Sequence, residues 1–172
     1  QTSVWKGVIL MAVRLVNIDD RLIHGQVATT WIKDYGIESV IIVNDAVAND
    51  PIQKSVAGLA VPGIKVSIFG VDQFLDVLKK TTIKKVTMVL FTSPIDALKC
   101  KQNGFEFSEM NVSGMRFNDQ RVRLHKNVSV TPEEKAAFDA LINDEHVSVT
   151  MQTTTRDEKM MFVDLLKNYK ED

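Results

Sequence analysis

Short apolar runs rich in Val and Ile alternate along this chain with longer stretches whose apolar residues recur at helical spacing. The runs predict strands at residues 12–18, 39–43, 64–69, 85–91, 109–112 and 146–152. This alternation is typical of an α/β domain, because neighbouring parallel strands need a helical connection that crosses the sheet. We therefore expect one domain with a doubly wound, mainly parallel sheet and helices on both faces.

Residues 121–130 alternate charged and apolar side chains, which predicts a half-exposed strand near an edge of the sheet. That strand would make the sheet mixed, with an antiparallel edge. The predicted helices occupy residues 27–35, 50–59, 72–80, 93–103, 131–142 and 156–168. Three of them have clear start signals, at Asp50-Pro51, Ser93-Pro94 and Thr131-Pro132. The apolar face of the last helix would consist of Met160, Met161, Val163, Leu165 and Leu166.

Chain length, net charge and cysteine count limit the number of domains and the kinds of partner and site. The 172 residues are enough for one well-buried domain, which we place at residues 11–172, and residues 1–10 are interpreted as a cloning remnant or the end of an upstream linker. A net charge of -1 and a pI of about 6.4 do not favour a nucleic-acid partner. The single cysteine, Cys100, excludes an intrachain disulfide and cysteine-based metal motifs, and we expect neither a metal nor a cofactor.

Residues 18–28 place His24 at the turn between the first predicted strand and the first predicted helix. Backbone N–H groups at a helix start attract anions, and those of Gly25, Gln26 and Val27 are the candidates here. A neutral imidazole can act as a nucleophile toward phosphorus near pH 7, and Arg21 is placed to hold the phosphoryl oxygens. These residues by themselves predict a phosphohistidine site.

Other polar residues and glycines fall at the carboxyl ends of predicted strands, where doubly wound sheets bind their ligands. They are Asn44, Asp45, Gly70, Thr92, Ser93, Ser113 and Gly114. Asp45 is more simply interpreted as a turn residue. Asp19 and Asp20 leave two interpretations open. One of them could orient His24 by accepting a hydrogen bond from its ring, or Asp20 could cap the loop or pair with Arg21, which is the interpretation the sequence favours.

Four segments resemble one protein family. Residues 19–27, Asp-Asp-Arg-Leu-Ile-His-Gly-Gln-Val, resemble the phosphorylation-site motif of the B components (enzyme IIB) of mannose/fructose/sorbose-type sugar phosphotransferase systems. Residues 43–50 resemble the second loop of that family, and residues 128–131 resemble the segment that leads into an acidic helix start. Residues 111–115, Asn-Val-Ser-Gly-Met, resemble its Asn-Val-Gly-Gly-Met stretch, with Ser113 in place of the usual first glycine. The similarity extends from about Met11 to the C-terminus.

The resemblance implies a cytoplasmic phosphoryl carrier that associates peripherally with a membrane transporter. It would accept phosphate from a IIA component and pass it to a sugar of the mannose, fructose, sorbose or amino-sugar class, which enters through membrane IIC and IID components. His24 would be the phosphorylated residue, through Nδ1, and Arg21 its cationic partner. Because Ser restricts the backbone more than Gly, Ser113 leaves open how closely its loop approaches the phosphate. A homodimer is also left open.

Two other functions stay open from the sequence. The same scaffold could be a non-catalytic binding domain that holds a small anion or a protein at the rim. A hydrolase with a transient phosphohistidine is a third hypothesis, although no second acid–base group is evident. The basic residues Arg116, Arg121, Arg123 and Lys126 are interpreted as a solvated strand face in preference to a docking surface for an acidic partner.

Overall fold

The computed structural model describes residues 12–171, so the predicted leading segment 1–10 and the domain start at residue 11 lie outside the described residues. The strands are β1 Val13–Asp19, β2 Ser39–Val43, β3 Lys65–Phe69, β4 Thr87–Phe91, β5 Glu109–Gly114, β6 Val122–His125, β7 Val128–Val130, β8 Ser148–Met151 and β9 Met160–Met161. The helices are α1 Gly25–Asp34, α2 Asp45–Ala48, α3 Pro51–Gly58, α4 Val71–Lys80, α5 Pro94–Gln102, α6 Pro132–Asp139 and α7 Phe162–Leu166, and a π-helical turn at Ala140–Asp144 continues α6.

Seven strands form one sheet in the order β3-β2-β4-β1-β5-β8-β9. The first six run parallel, and β9 pairs antiparallel with β8. The predicted mainly parallel, mixed sheet is therefore confirmed. Its central strand is β1, whose last residue, Asp19, lies opposite Gly114 of β5.

The prediction of one edge strand over residues 121–130 is wrong. The segment folds back on itself as the hairpin of β6 and β7, which is a separate two-stranded sheet. The turn lies at Lys126 and Asn127, and the Asn127 backbone N–H donates to Nδ1 of His125 over 3.2 Å. Polar and apolar residues alternate in both arms, so the alternation did not reveal the turn between them.

The prediction of a last helix over residues 156–168 is also wrong in part. Met160 and Met161 pair with Met151 and Thr150 as the edge strand β9, and the helix begins only at Phe162. Of the predicted apolar face, Leu165 is buried and Met160 and Leu166 are partly buried, whereas Met161 and Val163 are exposed. The open edge of β8 supplies backbone partners for two of these residues, and this pairing overrides their helical spacing.

Alternation along the strands divides the interior into two cores, one on each face of the sheet. In β4, Met88 and Leu90 contribute to the core beneath α1, α2 and α3, while Val89 and Phe91 contribute to the core beneath α4 to α7. Helices on both faces are therefore confirmed. None of the helices within residues 12–171 is long and apolar enough to cross a membrane.

The connection that follows β1 leaves the sheet in the opposite direction from those of its neighbours. After β1 the chain enters α1 on one face, whereas after β4 and β5 it continues into elements that pack on the other face. Such a reversal opens a crevice at the carboxyl end of the central strand. The segment that carries His24 lies at this place.

Candidate functional site

His24 lies at the N-terminal end of α1, where it is exposed. It is the N-cap residue, with an extended backbone, and its side chain caps none of the helix amides. The first hydrogen bond inside the helix joins the Ala28 N–H to the His24 carbonyl over 3.3 Å. The N–H groups of Gly25, Gln26 and Val27 precede that bond, as expected for the first turn of a helix. His24 therefore lies at the positive end of α1, directly before the three residues whose amides the sequence singled out.

A tight turn fixes the backbone between β1 and His24. The Leu22 N–H donates to the Asp19 carbonyl over 3.0 Å, and the Asp20 N–H donates to the Gly114 carbonyl over 3.2 Å. Leu22 has φ 65 and Gly25 has φ 44, both in the left-handed region, which costs a leucine more than a glycine. Leu22 tolerates it because its side chain packs against the core beneath α1. We refer to residues 19–22 as the β1 turn.

Asp19 holds the guanidinium of Arg21 by two charge-assisted hydrogen bonds. Nε donates to Oδ1 over 2.9 Å and Nη2 donates to Oδ2 over 2.8 Å, while the Arg21 backbone N–H also donates to Oδ1 over 3.0 Å. These hydrogen bonds raise the pKa of Arg21 above its usual value. The Asp19 side chain is 3% exposed and that of Arg21 is 24% exposed, so a buried anion orients a partly accessible cation.

The predicted pairing of Asp20 with Arg21 is wrong, because Asp19 makes that pair. Asp20 instead accepts from Arg121 Nη1 over 2.7 Å and from the Arg116 backbone N–H over 3.0 Å. Within residues 12–171, no hydrogen bond joins either aspartate to His24. Both carboxylates therefore act on arginines, and the alternative in which one of them orients the imidazole has no support in the geometry.

Gly114 lies directly behind the Arg21 side chain. A Cβ at this position would be 3.0 Å from Nη2 and 3.3 Å from Cζ of Arg21. The guanidinium can occupy its place only because residue 114 has no side chain. Gly114 was predicted as a rim residue, and here it borders Arg21.

Ser113 was also predicted as a rim residue, but its side chain is completely buried within β5. Its hydroxyl accepts from the Asn17 amide over 2.9 Å and lies 3.1 Å from Asn17 Oδ1, and Asn111 bonds the same Asn17 oxygen over 3.0 Å. The serine therefore belongs to a polar cluster between β1 and β5. Its side chain does not reach a ligand at the rim, and the prediction is corrected.

Asp45 is the first residue of α2 rather than a turn residue, and its carboxylate accepts the Val71 N–H at the start of α4 over 2.8 Å. A Cβ at Gly70 would approach Asp45 Oδ1 to 2.9 Å. Asn44 donates to the Thr92 hydroxyl over 2.7 Å. The structure thus links the loops after β2, β3 and β4 to one another, whereas Arg21 and Gly114 form a separate group after β1 and β5.

A basic cavity of about 170 Å³ adjoins the group formed by Arg21 and Gly114. Arg21, Arg116, Arg123 and Lys126 contribute its cations. Phe117 contributes an exposed ring, and the Arg123 guanidinium lies 4.7 Å from the centre of that ring. The interpretation of a wholly solvated basic cluster is wrong for one member, because the Arg121 side chain is only 10% exposed and forms ion pairs.

The described part of the chain contains no candidate metal site, since no group of three His, Cys, Asp or Glu residues there could hold an ion. The remaining histidines lie elsewhere. His125 is half-buried in the β6–β7 hairpin and His146 is exposed at a left-handed turn, with φ 57.

Comparison with known proteins gives the family. A family model described as the sorbose subfamily IIB component of the phosphotransferase system matches residues 13–172. The chain belongs to this family. A IIB component is a phosphotransferase of a sugar phosphotransferase system, in this case one of the mannose/sorbose family.

Relatives and solved structures agree with this assignment. The fructose-specific EIIB component of Bacillus subtilis is 34% identical over 161 residues, which cover 92% of this chain and 98% of that protein. The mannose-specific EIIAB component of Escherichia coli is 32% identical over 158 residues, and this IIB chain spans 49% of its length. The IIB domain of the sorbose permease of Klebsiella pneumoniae has a TM-score of 0.83 at 29% identity, covering 94% of this chain and 99% of that one.

Proposed function

We propose that this IIB component carries a phosphoryl group on His24, which it accepts from a IIA component and transfers to a sugar. The observation that carries the proposal is the exposed His24 at the N-cap of α1, directly before the three free amides of the first helical turn and three residues after Arg21. Backbone N–H donors at a helix start and a nearby cation are the groups that stabilise a phosphoryl group on such a residue.

In the first half-reaction, Nδ1 of neutral His24 attacks the phosphorus carried by the donor. The new N–P bond forms as the bond to the donor breaks, and the donor takes back the electron pair. Phosphoryl transfer passes through a loose transition state, so the protein acts mainly by position and charge. The amides of Gly25, Gln26 and Val27 and the guanidinium of Arg21 are the groups that would hold the three transferring oxygens.

In the second half-reaction, a sugar hydroxyl attacks the phosphorus and the N–P bond breaks. The electron pair returns to the imidazole, and the hydroxyl proton leaves to solvent or to a base at the acceptor site. Reversible carriage needs moderate binding of the phosphoryl group. Asp19 supports this requirement, because it compensates the charge of Arg21 and so weakens its hold on the phosphate.

The partners of the proposed carrier follow from its family. We propose a IIA donor, membrane IIC and IID components, and a sugar of the mannose, fructose, sorbose or amino-sugar class. The carrier would then work in the cytoplasm, in peripheral association with the transporter, as a monomer or a homodimer. A protein that covers His24 also approaches the basic cavity, since both adjoin the β1 turn.

Intact-mass analysis tests the proposal. Wild type and His24→Ala are incubated with phosphoenolpyruvate, the general phosphotransferase proteins and a mannose-family IIA component, with an active IIB carrier in the same tube. Wild type should gain one acid-labile phosphoryl group, and His24→Ala should gain none while keeping the far-UV circular dichroism of the wild type. Phosphorylation of His24→Ala, or no phosphorylation of wild type beside a phosphorylated control, would refute the assignment.

A further inference from the structure

A buried ion network connects the β1 turn to the β6–β7 hairpin and the start of α6. Its members are Asp20, Arg121 and Glu134, whose side chains are 13%, 10% and 8% exposed. Burial by itself would lower the pKa of Arg121, but its hydrogen bonds to Glu134 and Asp20 outweigh burial, and the pKa is raised. The network lies outside the group that would touch the phosphoryl oxygens.

Arg121 bonds the two carboxylates with different atoms. Nε and Nη2 donate to Glu134 over 2.9 and 2.8 Å, whereas Nη1 donates to Asp20 over 2.7 Å and to the Arg116 carbonyl over 2.7 Å. Each carboxylate therefore bonds a different side of the guanidinium. We call the bonds to Asp20 and to Glu134 the two arms of the network, and a substitution can remove one arm while the other remains.

The Glu134 arm has support of its own. Glu134 accepts the Thr131 N–H over 2.8 Å, and Thr131 Oγ1 accepts the Glu134 N–H over 3.0 Å, which is the reciprocal capping box of α6. Arg121 is thus anchored to a rigid helix start whether or not Asp20 is present. Asp20 is the end of the network that depends on Arg121.

Asp20 has few other bonds. Its Oδ2 accepts from Arg121 and from the Arg116 N–H, whereas its buried Oδ1 has no hydrogen-bond partner among the described residues, although Arg116 Nε lies 3.3 Å away. Without Arg121, the carboxylate would keep the hydrogen bond from the Arg116 N–H and an ion pair with the exposed Arg116 guanidinium, but no buried cation. An ion in that situation moves toward water, and it would draw the backbone of the β1 turn with it.

We propose that Arg121 is a positioning residue for phosphoryl transfer, which acts through Asp20 to fix the β1 turn that carries Arg21. Asp20 lies between Asp19, which orients the Arg21 guanidinium, and Arg21 itself. A displaced turn would move the guanidinium relative to His24. This inference rests on the proposed role of His24. Arg121 lies 101 positions along the chain from Asp20, the residue that it holds.

The test compares variants of the two arms. Asp20→Ala and the milder Asp20→Asn weaken the arm to the β1 turn, and Arg121→Met removes both arms. Glu134→Gln is the matched control, because it removes a buried charge but keeps an amide oxygen that can accept from Arg121 Nε, and it leaves the bonds of Arg121 Nη1 to Asp20 and to the Arg116 carbonyl. Each protein is assayed by single-turnover phosphorylation at a temperature where circular dichroism shows it fully folded, with phosphorylated IIA and with phosphoramidate, a small chemical phosphoryl donor. The rate constant at saturating donor is written kcat, and the donor concentration that gives half of it is written KM.

Asp20→Ala and Arg121→Met should lower kcat by about ten- to a hundredfold, because misplacement by about 1 Å can cost that much. KM for IIA should stay near the wild-type value, and the loss should be equal with phosphoramidate, which needs no docking surface. Glu134→Gln should lower the melting temperature but keep the wild-type kcat. In an Arg21→Lys background, Asp20→Ala should add little, because both changes act on the same group.

Folded Asp20→Ala and Asp20→Asn with the wild-type kcat would overturn the proposal, and the network would then serve stability alone. An equal loss of kcat in Glu134→Gln would overturn it as well. Either result leaves the role of His24 intact, provided that His24→Ala takes up no phosphoryl group from either donor. Phosphorylation of that variant would instead refute the proposed function.

Discussion

Replacing Gly114 by Ala should slow phosphoryl transfer while leaving stability almost unchanged. The added Cβ would lie 3.0 Å from Nη2 and 3.3 Å from Cζ of Arg21, closer than an ordinary contact of 3.4–4 Å. The backbone of residue 114 is not left-handed, so alanine fits the main chain. The arginine must therefore give way, by at least about 0.4 Å at Nη2.

The size of the effect follows from the bonds that this movement disturbs. Nη2 of Arg21 donates to Asp19 over 2.8 Å, and hydrogen bonds to charged groups contribute about 1.5–3 kcal/mol. Loss of about half of one such bond costs about 1 kcal/mol, and the lower entropy of the unfolded alanine chain returns about 0.4–1 kcal/mol. The net change in the free energy of unfolding is then below about 1 kcal/mol. Misdirection of Arg21 should lower the transfer rate by about tenfold, which corresponds to about 1.4 kcal/mol of transition-state stabilisation.

Single-turnover phosphorylation by excess phosphorylated IIA, followed by intact mass, measures the rate, and thermal melting monitored by circular dichroism measures the stability. Gly58→Ala is the matched control, because a Cβ there meets nothing within 4 Å and residue 58 ends α3 away from Arg21. The control should transfer at the wild-type rate. A wild-type rate in Gly114→Ala would refute the reasoning that the lack of a side chain at residue 114 positions the arginine.

Four further predictions concern three residues. Arg21→Lys should slow transfer by about tenfold or more in the same assay, because an ammonium cannot bond both oxygens of Asp19 as the planar fork does, and a rate near that of wild type would contradict this. Burial raises the pKa of the Cys100 thiol to about 12, so iodoacetamide at pH 8 should alkylate it only after unfolding, and equally fast labelling of the native protein would show the thiol to be accessible. The same shift means that the unfolded thiol ionises first as pH rises above about 9, so wild type should lose stability with pH more steeply than Cys100→Ala. Asp45→Ala removes the acceptor of the Val71 N–H and should cost about 1 kcal/mol in urea unfolding, whereas an unchanged midpoint would mean that water replaces the carboxylate.

Local patterns predicted most of the sheet because burial on both faces leaves continuous apolar runs in β2 and β4. They failed where a distant partner decides the structure. The helical spacing of Met160 and Met161 is real, but the open edge of β8 captures them as a strand. The hairpin of β6 and β7 was not predicted for a related reason, since a two-residue turn leaves the alternation of polar and apolar residues unchanged.

In the candidate site, too, features encoded locally were predicted and features set by distant residues were not. His24 was predicted at a strand-to-helix turn because the strand and the helix both leave local signals, and the structure places it there. The partners of the two aspartates had no such signal. Asp19 turns to Arg21, two residues away, whereas Asp20 turns to Arg121, which lies 101 residues further along the chain. Only the fold brings the hairpin to the β1 turn, so Arg121 could not be separated from its exposed basic neighbours in advance.

Asp19 therefore pairs with a residue of its own turn, whereas Asp20 pairs with a residue of the distant hairpin, and the two would contribute differently to the proposed phosphoryl carrier. The buried Asp19 carboxylate compensates Arg21 locally, so the cation can orient a phosphoryl group without binding it as tightly as a free guanidinium would. Asp20 forms no hydrogen bond with Arg21 and contributes less than Asp19 to its raised pKa, and it mainly ties the turn to the hairpin and, through Arg121, to α6. Charge balance and rigidity are thus assigned to separate residues. A substitution at one should change how strongly the phosphoryl group is held, and a substitution at the other how accurately it is placed.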